Sequence, residues 1–171
     1  PYGCSKGSAD QYVRDWSRVY GLNTVVFRHS SIYGGRQYAS IDQGWIGWFC
    51  KKALEQNYQL DNKKNIIPFT ISGNGKQVRD VLHAEDLIYL YHSAYKQKHK
   101  LNGEIFNIGG GVENSLSILE LFEVLKELLD ISKLEYIKTE RRTSDQDCFI
   151  ANIDKVKNIL NWSPKVNYRE G

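Results

Sequence analysis

Pro1-Tyr2-Gly3-Cys4-Ser5-Lys6 opens the chain, and its reading decides what the other residues are for. Apolar and aromatic residues recur at Tyr2, Ala9, Tyr12, Val13, Trp16, Val19 and Tyr20, the three-and-four spacing of a helix with one broad buried face. Pro1 suits a first helical turn and Gly21 a helix end, so the spacing predicts a helix over residues 2–20. Within it, a four-residue step puts the Tyr2 phenol and the Lys6 ammonium on one face. A tyrosine of ordinary pKa, about 10, is ionised to roughly one part in a thousand at neutral pH, and a neighbouring ammonium favours the ionised form. The ammonium's other donors remain free for ribose hydroxyls. An exposed helix face also carries such pairs by chance, so the segments that follow decide between the two readings.

After Gly21 comes a β-branched run at residues 23–28 (NTVVFR), which reads as a buried strand. Helix, tight turn and strand in this order indicate part of a parallel α/β unit. The polar, glycine-containing stretch at residues 29–37 (HSSIYGGRQ) lies just outside the carboxyl end of that strand. Ligands of open α/β sheets sit there, although an ordinary strand-to-helix connector has the same composition. Residues 44–56 read as a helix with Trp45, Trp48 and Phe49 on its apolar side, the two tryptophans serving either a core or a stacking surface for a base or sugar. Residues 57–67 read as an exposed loop.

Phe69–Ser72 and residues 77–82 flank Gly73-Asn74-Gly75-Lys76, a hairpin signature. Arg79 and Asp80 fall in its second strand. An arginine in a strand either pairs with a local carboxylate or reaches an external anion, and its planar fork suits a diphosphate. His83-Ala84-Glu85-Asp86 begins a helix with acidic residues in its first turn, and Ala84, Leu87, Ile88, Tyr91, Ala94 and Tyr95 supply its apolar face. Glu104–Ile108 is a short strand followed by Gly109-Gly110-Gly111. Asn114 occupies the place of the third glycine of a dinucleotide loop, so the run reads as a connector. Ser117 and Glu120 make a capping box for a helix with Leu121, Phe122, Leu125, Leu128 and Leu129 on its apolar face. Residues 134–138 read as a strand. Arg141-Arg142-Thr143-Ser144-Asp145 is a polar segment of the kind usually solvated, and residues 154–160 form a last helix stopped by Trp162-Ser163-Pro164.

With 171 residues, 41% hydrophobic and 12% aromatic, the chain has enough apolar material for a full core. Its 23 Lys and Arg and 20 Asp and Glu are interspersed by sign, which leaves no nucleic-acid patch. Cys4, Cys50 and Cys148 are an odd, scattered set, and His29, His83, His92 and His99 lack ligand spacing. Neither a disulfide framework nor a metal site is indicated, which fits a reducing, cytoplasmic setting without membrane attachment. The absence of methionine and the opening inside a motif suggest a piece of a longer protein.

The ordered set PYGCSK, RHSSIYG, GNGKQVRDVLHAEDL, FNIGGG with its capped helix, RTSD and LNWSPKV resembles the C-terminal half of the extended short-chain dehydrogenase/reductase family that modifies sugar nucleotides. Within that family, RHSSIYGGRQ and DQGWIGWF are most similar to the 2-epimerases of CDP-linked deoxyhexoses. The resemblance implies an α/β fold: the C-terminal part of a Rossmann-type parallel sheet (residues 1–34 and 80–109) plus a small mixed α/β substrate-binding domain (residues 35–79 and 110–171). It implies NAD as cofactor and a nucleotide-sugar substrate, with a CDP-linked deoxyhexose favoured. Tyr2 would remove a sugar hydroxyl proton with Lys6 favouring its phenolate and holding the nicotinamide ribose. His29 and Ser30 would lie by the nicotinamide and Ser31 by the sugar, with Arg36, Arg79 and Arg142 on the substrate, the last two at its diphosphate. Hydride return to the other face of a ketose would invert the carbon. A 4-epimerase, 4,6-dehydratase or decarboxylase of the same fold remains the alternative. The helix bearing Tyr2 would take part in a homo-oligomer. Ser31 and Ser144 depart from the Asn and Gly common in the family, and the glycine-rich dinucleotide loop and catalytic Ser or Thr precede the Tyr in the family, outside this sequence. The isolated chain is therefore expected to bind or assemble without turnover.

Overall fold

The computed structural model describes residues 1–41 and 44–171, so the Asp42-Gln43 start of DQGWIGWF lies outside the described residues. Helix α1 (Tyr2–Tyr20) ends on Gly21, which takes the left-handed conformation at φ 67° and donates its N–H to Ser17 O. Strand β1 (Val25–His29) pairs in parallel with β5 (Glu104–Ile108), Val25 opposite Glu104 and His29 opposite Ile108. The strand starts two residues later and ends one residue later than the β-branched run alone indicates, which brings His29 to its carboxyl end. Strand β2 (Ser31–Tyr33) leaves the line of β1 at Ser30 and joins β4 (Val78–His83) in parallel. The first half of β4 pairs with antiparallel β6 (Ser115–Ser117) and parallel β8 (Cys148–Phe149).

Side chains of a strand alternate between its two sides, and on β4 both sides are covered: Asp80, Val81 and Leu82 are all buried. Val81 belongs to a core made by α2 (Trp45–Asp61), α4 (Ile118–Leu129) and the parallel pair β3 (Phe69–Ser72) and β7 (Tyr136–Thr139). Phe49, Phe69 and Phe122 meet there with ring centroids 5.2 to 5.8 Å apart. Leu82 belongs to a second core with Leu90 of α3 (Ala84–Lys96), Phe106 and Ile108 of β5, and Val156 and Leu160 of α5 (Asp154–Leu160), closed by fully buried Trp162. Strand β4 is therefore the seam between the two cores.

Long-range packing changes three of the local expectations. The GNGK segment turns the chain, with Gly73 and Gly75 at φ 77° and 81°, but makes no hairpin. Strand β3 pairs with β7, while β4 pairs with β2, β6 and β8, because buried Phe69 and Ile71 of β3 complete the first core and draw it away from β4. The loop read at residues 57–67 is helical as far as Asp61. Buried Gln56 clamps that end of α2 to the start of β7, its amide donating to Ile67 O (3.0 Å) and Glu135 O (2.8 Å) and accepting from Glu135 N (2.9 Å). On α3 the buried residues are Asp86, Leu90 and Ala94, while Ile88 and Tyr95 are exposed. Asp86 turns inward because Oδ2 accepts from Lys165 N and Val166 N, both at 2.9 Å, and the helix rotates with it.

The broad apolar face of α1 is not buried in this chain: only Ser17 is, while Tyr12, Trp16, Val19 and Tyr20 are 51 to 69% exposed. The helix rests on the sheet by its polar edge. Asp10 pairs with Arg28 at 2.5 Å, and Ser17 Oγ donates to Asn102 Oδ1 at 2.6 Å. Among the described residues no element lies over the aromatic face. No described helix is long and apolar enough to cross a membrane.

Candidate functional site

The end of β1 and the start of β2 send three successive side chains to different partners. His29 Nε2 lies 2.8 Å from the Tyr91 hydroxyl of α3. Ser30 turns the other way and donates from Oγ to Asp80, whose backbone O is 2.9 Å away and whose Oδ1 is also in contact. Ser31 Oγ accepts from Trp45 Nε1 at 3.2 Å, across to α2.

Fully buried Asp80 also accepts from Gly111 N at 3.2 Å through Oδ2, so one carboxylate ties Ser30 to the glycine run. A Cβ on Gly109 would lie 2.0 Å from Asp80 Oδ2, and one on Gly110 2.0 Å from Val81 O. These glycines let the loop after β5 close onto β4, and the Gly111 N–H is already committed. The run is a packed connector, as Asn114 indicates, rather than a cradle for phosphate.

Tyr2 and Lys6 take the side-by-side arrangement their spacing predicts, with Lys6 Nζ 5.5 Å from the Tyr2 ring centroid, within cation–π range. Tyr2 is 77% exposed. The Lys6 charge also reaches His29. Although His29 as a residue is exposed, its ring lies against Tyr91, with centroids 6.1 Å apart. Desolvation there, followed by the repulsion of Lys6, holds the imidazole below its ordinary pKa. Tyr2, Lys6 and His29 thus gather at the carboxyl end of β1.

The His29 shift has a sign that can be checked. Its folded pKa is below its unfolded value near 6.5, so between the two the unfolded chain binds more protons and stability rises with pH. The contribution is intact above about pH 6.5 and is lost as pH falls through that value toward the folded pKa. We expect the His29 ring protons, followed by NMR, to titrate below 6.5 and to move upward in Lys6→Met. An unchanged midpoint in the variant would remove Lys6 as a cause.

A cleft of about 320 Å³ is lined by Trp45, Trp48, Thr70, Arg79, Arg142 and Asp145 among others. Arg79 is half-buried and paired: Nη2 donates to Asp145 Oδ1 (2.7 Å) and Gln146 O (2.9 Å), and Nη1 to Val78 O (2.7 Å). A guanidinium has five N–H donors, so this arginine keeps donors for an external anion after meeting the local carboxylate. The local-carboxylate reading of a strand arginine applies to it. Arg142 is exposed and has no carboxylate partner among the described residues. Trp45 and Trp48 pack against the first core, one of the two uses open to them, and also line the cleft. Arg36 is held apart, exposed at φ 68° on a separate groove with Lys51 and Tyr58.

Asp145, Gln77 and Asp80 are the site residues that the sequence reading passes over. Gln77 immediately precedes β4 and lies two residues from Arg79. Asp145 meets both, at 3.0 Å and 2.7 Å. That spacing is the only sequence signal; nothing local ties it to a loop 66 residues away.

The sequence pattern of the "NAD dependent epimerase/dehydratase family" matches residues 1–109. The CDP-paratose 2-epimerase of Salmonella typhi is 56% identical over 171 residues, covering 100% of this chain and 49% of that protein. Among solved structures, the UDP-glucose 4-epimerase of Thermotoga maritima with UDP-glucose superposes with a TM-score of 0.83 at 30% identity, covering 100% of this chain and 50% of that one. The UDP-glucuronic acid 4-epimerase of Bacillus cereus, in complex with UDP-glucuronic acid and NAD, gives 0.80 at 25% identity, with coverage of 100% and 49%. The chain thus spans about half the length of the relatives it matches.

Proposed function

The chain belongs to the NAD dependent epimerase/dehydratase family, and we propose that the full-length protein inverts C2 of a CDP-linked deoxyhexose by oxidising that carbon transiently and reducing it from the other face. The observation that carries this reading is the 56% identity, sustained over the whole chain, to a CDP-paratose 2-epimerase. The geometry supports it: Ser31 follows the end of β1, where the polar cluster lies, and is bonded to Trp45, which lines the arginine-bearing cleft.

The residues present fit the nicotinamide end of NAD, since Lys6 and His29 place polar groups at the carboxyl end of a parallel strand, while Ser30 is turned to Asp80. The glycine run does not fit its phosphates, because its backbone is packed on β4 and bonded to Asp80. NAD, when bound, supplies the acceptor for the hydride from the sugar carbon and returns it. The chain's own residues do the rest. The Tyr2 phenolate oxygen takes the hydroxyl proton as the carbonyl forms and gives it back on reduction. Lys6, beside Tyr2 on the same helix face, donates to the ribose. Arg79 and Arg142 hold the diphosphate and Trp45 and Trp48 wall the nucleotide side, so the sugar can rotate while its anchor stays. The uncovered aromatic face of α1 suits a contact between copies of the protein, which we take as the route to a homo-oligomer.

The test is an assay of the full-length protein on CDP-paratose deuterated at C2, followed by NMR. Inversion at C2 with the deuterium retained is the expected result, because the label leaves and returns on one cofactor. Failure to invert C2, or turnover only at C4 of a UDP-sugar, would end the 2-epimerase reading. Inversion with the label exchanged into solvent would replace transient oxidation with deprotonation at carbon.

A further inference from the structure

We propose that Trp45 is a positioning residue for Ser31, fixing that hydroxyl as a hydrogen-bond donor toward the sugar oxygen. The inference rests on the reading above, in which Ser31 faces the sugar. Its own basis is the 3.2 Å contact between Trp45 Nε1 and Ser31 Oγ, a link between α2 and β2 that ordinary core packing does not require.

The direction of that bond follows from the chemistry of the two groups. An indole N–H can only donate, so Ser31 Oγ must accept. A serine hydroxyl has one hydrogen and turns freely about its Cβ–Oγ bond, so by itself it presents either a donor or a lone pair to a ligand. With Trp45 occupying one of its two lone pairs, the Ser31 hydrogen is kept out of that direction and left with two others, and among the described residues it has no acceptor. The neighbouring Ser30 differs: its hydrogen is spent on Asp80. One step along the strand therefore separates a serine used to hold the fold from one whose donor is directed and unspent.

A directed donor matters when the sugar oxygen changes from a hydroxyl, which can donate or accept, to a carbonyl, which only accepts. A hydroxyl whose hydrogen is unspent and barred from the Trp45 direction meets that carbonyl with less reorientation, and such preorganised donors act mainly on the chemical step. Trp45 is itself held by the first core, packing edge-on to Phe49 with centroids 6.5 Å apart, and its ring lines the cleft assigned to the diphosphate. The anchor of Ser31 is thus rigid and sits beside the anchor of the substrate.

The experiment is a double-mutant cycle in the full-length protein, with Trp45→Phe, Ser31→Ala and the pair, reading kcat on CDP-paratose and the dissociation constant of CDP. Trp45→Phe keeps an aromatic ring and deletes the N–H, and Ser31→Ala leaves the cleft wall untouched and serves if the ring change perturbs folding. We expect each single change to lower kcat by about tenfold, the pair to lower it by about tenfold rather than a hundredfold, and CDP affinity to stay within about threefold. Multiplying losses, an unaltered kcat in Trp45→Phe, or a loss confined to CDP binding would each overturn the inference while leaving Ser31 at the sugar. A silent Ser31→Ala would instead remove Ser31 from the sugar, and a wild type without turnover would remove the epimerase reading. Either of those results takes this inference with it.

Discussion

Replacing Tyr2 by Phe in the full-length protein should lower kcat by about 10²- to 10⁴-fold, the usual contribution of a positioned acid or base, while CDP-sugar affinity changes by less than about threefold. The phenol oxygen is the only atom removed. The ring that Lys6 approaches at 5.5 Å is kept, so the first turn of α1 loses no packing and the ammonium keeps its place. A proton must leave the sugar hydroxyl in the same step that makes the carbonyl, and without the Tyr2 oxygen it has only water to go to. The effect therefore falls on the chemical step. Stopped-flow formation of NADH absorbance on mixing with substrate, alongside steady-state turnover, separates the two quantities. A variant within tenfold of wild-type kcat would show that Tyr2 is not the proton acceptor, and one with intact kcat but lost affinity would make it a binding residue.

Gly110→Ala should destabilise the protein by about 3 kcal/mol or more, at the upper end of what overpacking costs. The added methyl would lie 2.0 Å from Val81 O and 2.6 Å from Asn114 Cβ. Val81 O belongs to the central strand, where Val81 is buried and pairs with Ser31, so it cannot retreat without opening the sheet. The strain would also reach the functional residues, because Asp80 links this loop to Ser30. Gly35→Ala is the control: nothing lies within 4 Å of its Cβ position, and we expect a change within about 0.5 kcal/mol. Urea unfolding of the two full-length variants checks both values. Equal stabilities would mean the loop relaxes away from β4, and the tight seam between the cores would lose its importance.

Much of the framework was legible in sequence because it rests on local rules. The Tyr2–Tyr20 helix, its glycine stop and the Ser117–Glu120 capping box follow from spacing and end chemistry that need no distant residue, and the structure contains all three, with Glu120 accepting from Ser117 N. The errors came where distant partners outvote local preference. A glycine-rich turn specifies a reversal of direction but not the pairing of its flanks, so β3 was free to join β7. A helical stripe shows which residues are apolar but not which are covered, so Asp86 could turn inward on α3 once Lys165 and Val166 offered backbone donors.

For the functional residues the division is similar. Sequence by itself determined the Tyr2/Lys6 pair, since four residues of helix is a fixed geometry, and it identified Arg79 as a cation suited to a diphosphate, whereas Arg142 was singled out only by the family resemblance. Only the tertiary structure decided that these arginines share one cleft, that Asp145 occupies part of the Arg79 fork, that Arg36 stands apart, and that Trp45 holds Ser31. The physical reason is separation along the chain. Hydrogen bonds and periodicity act over a few residues, whereas the cleft joins residues from Trp45 to Asp145, brought together only when two hydrophobic cores close on the two sides of β4.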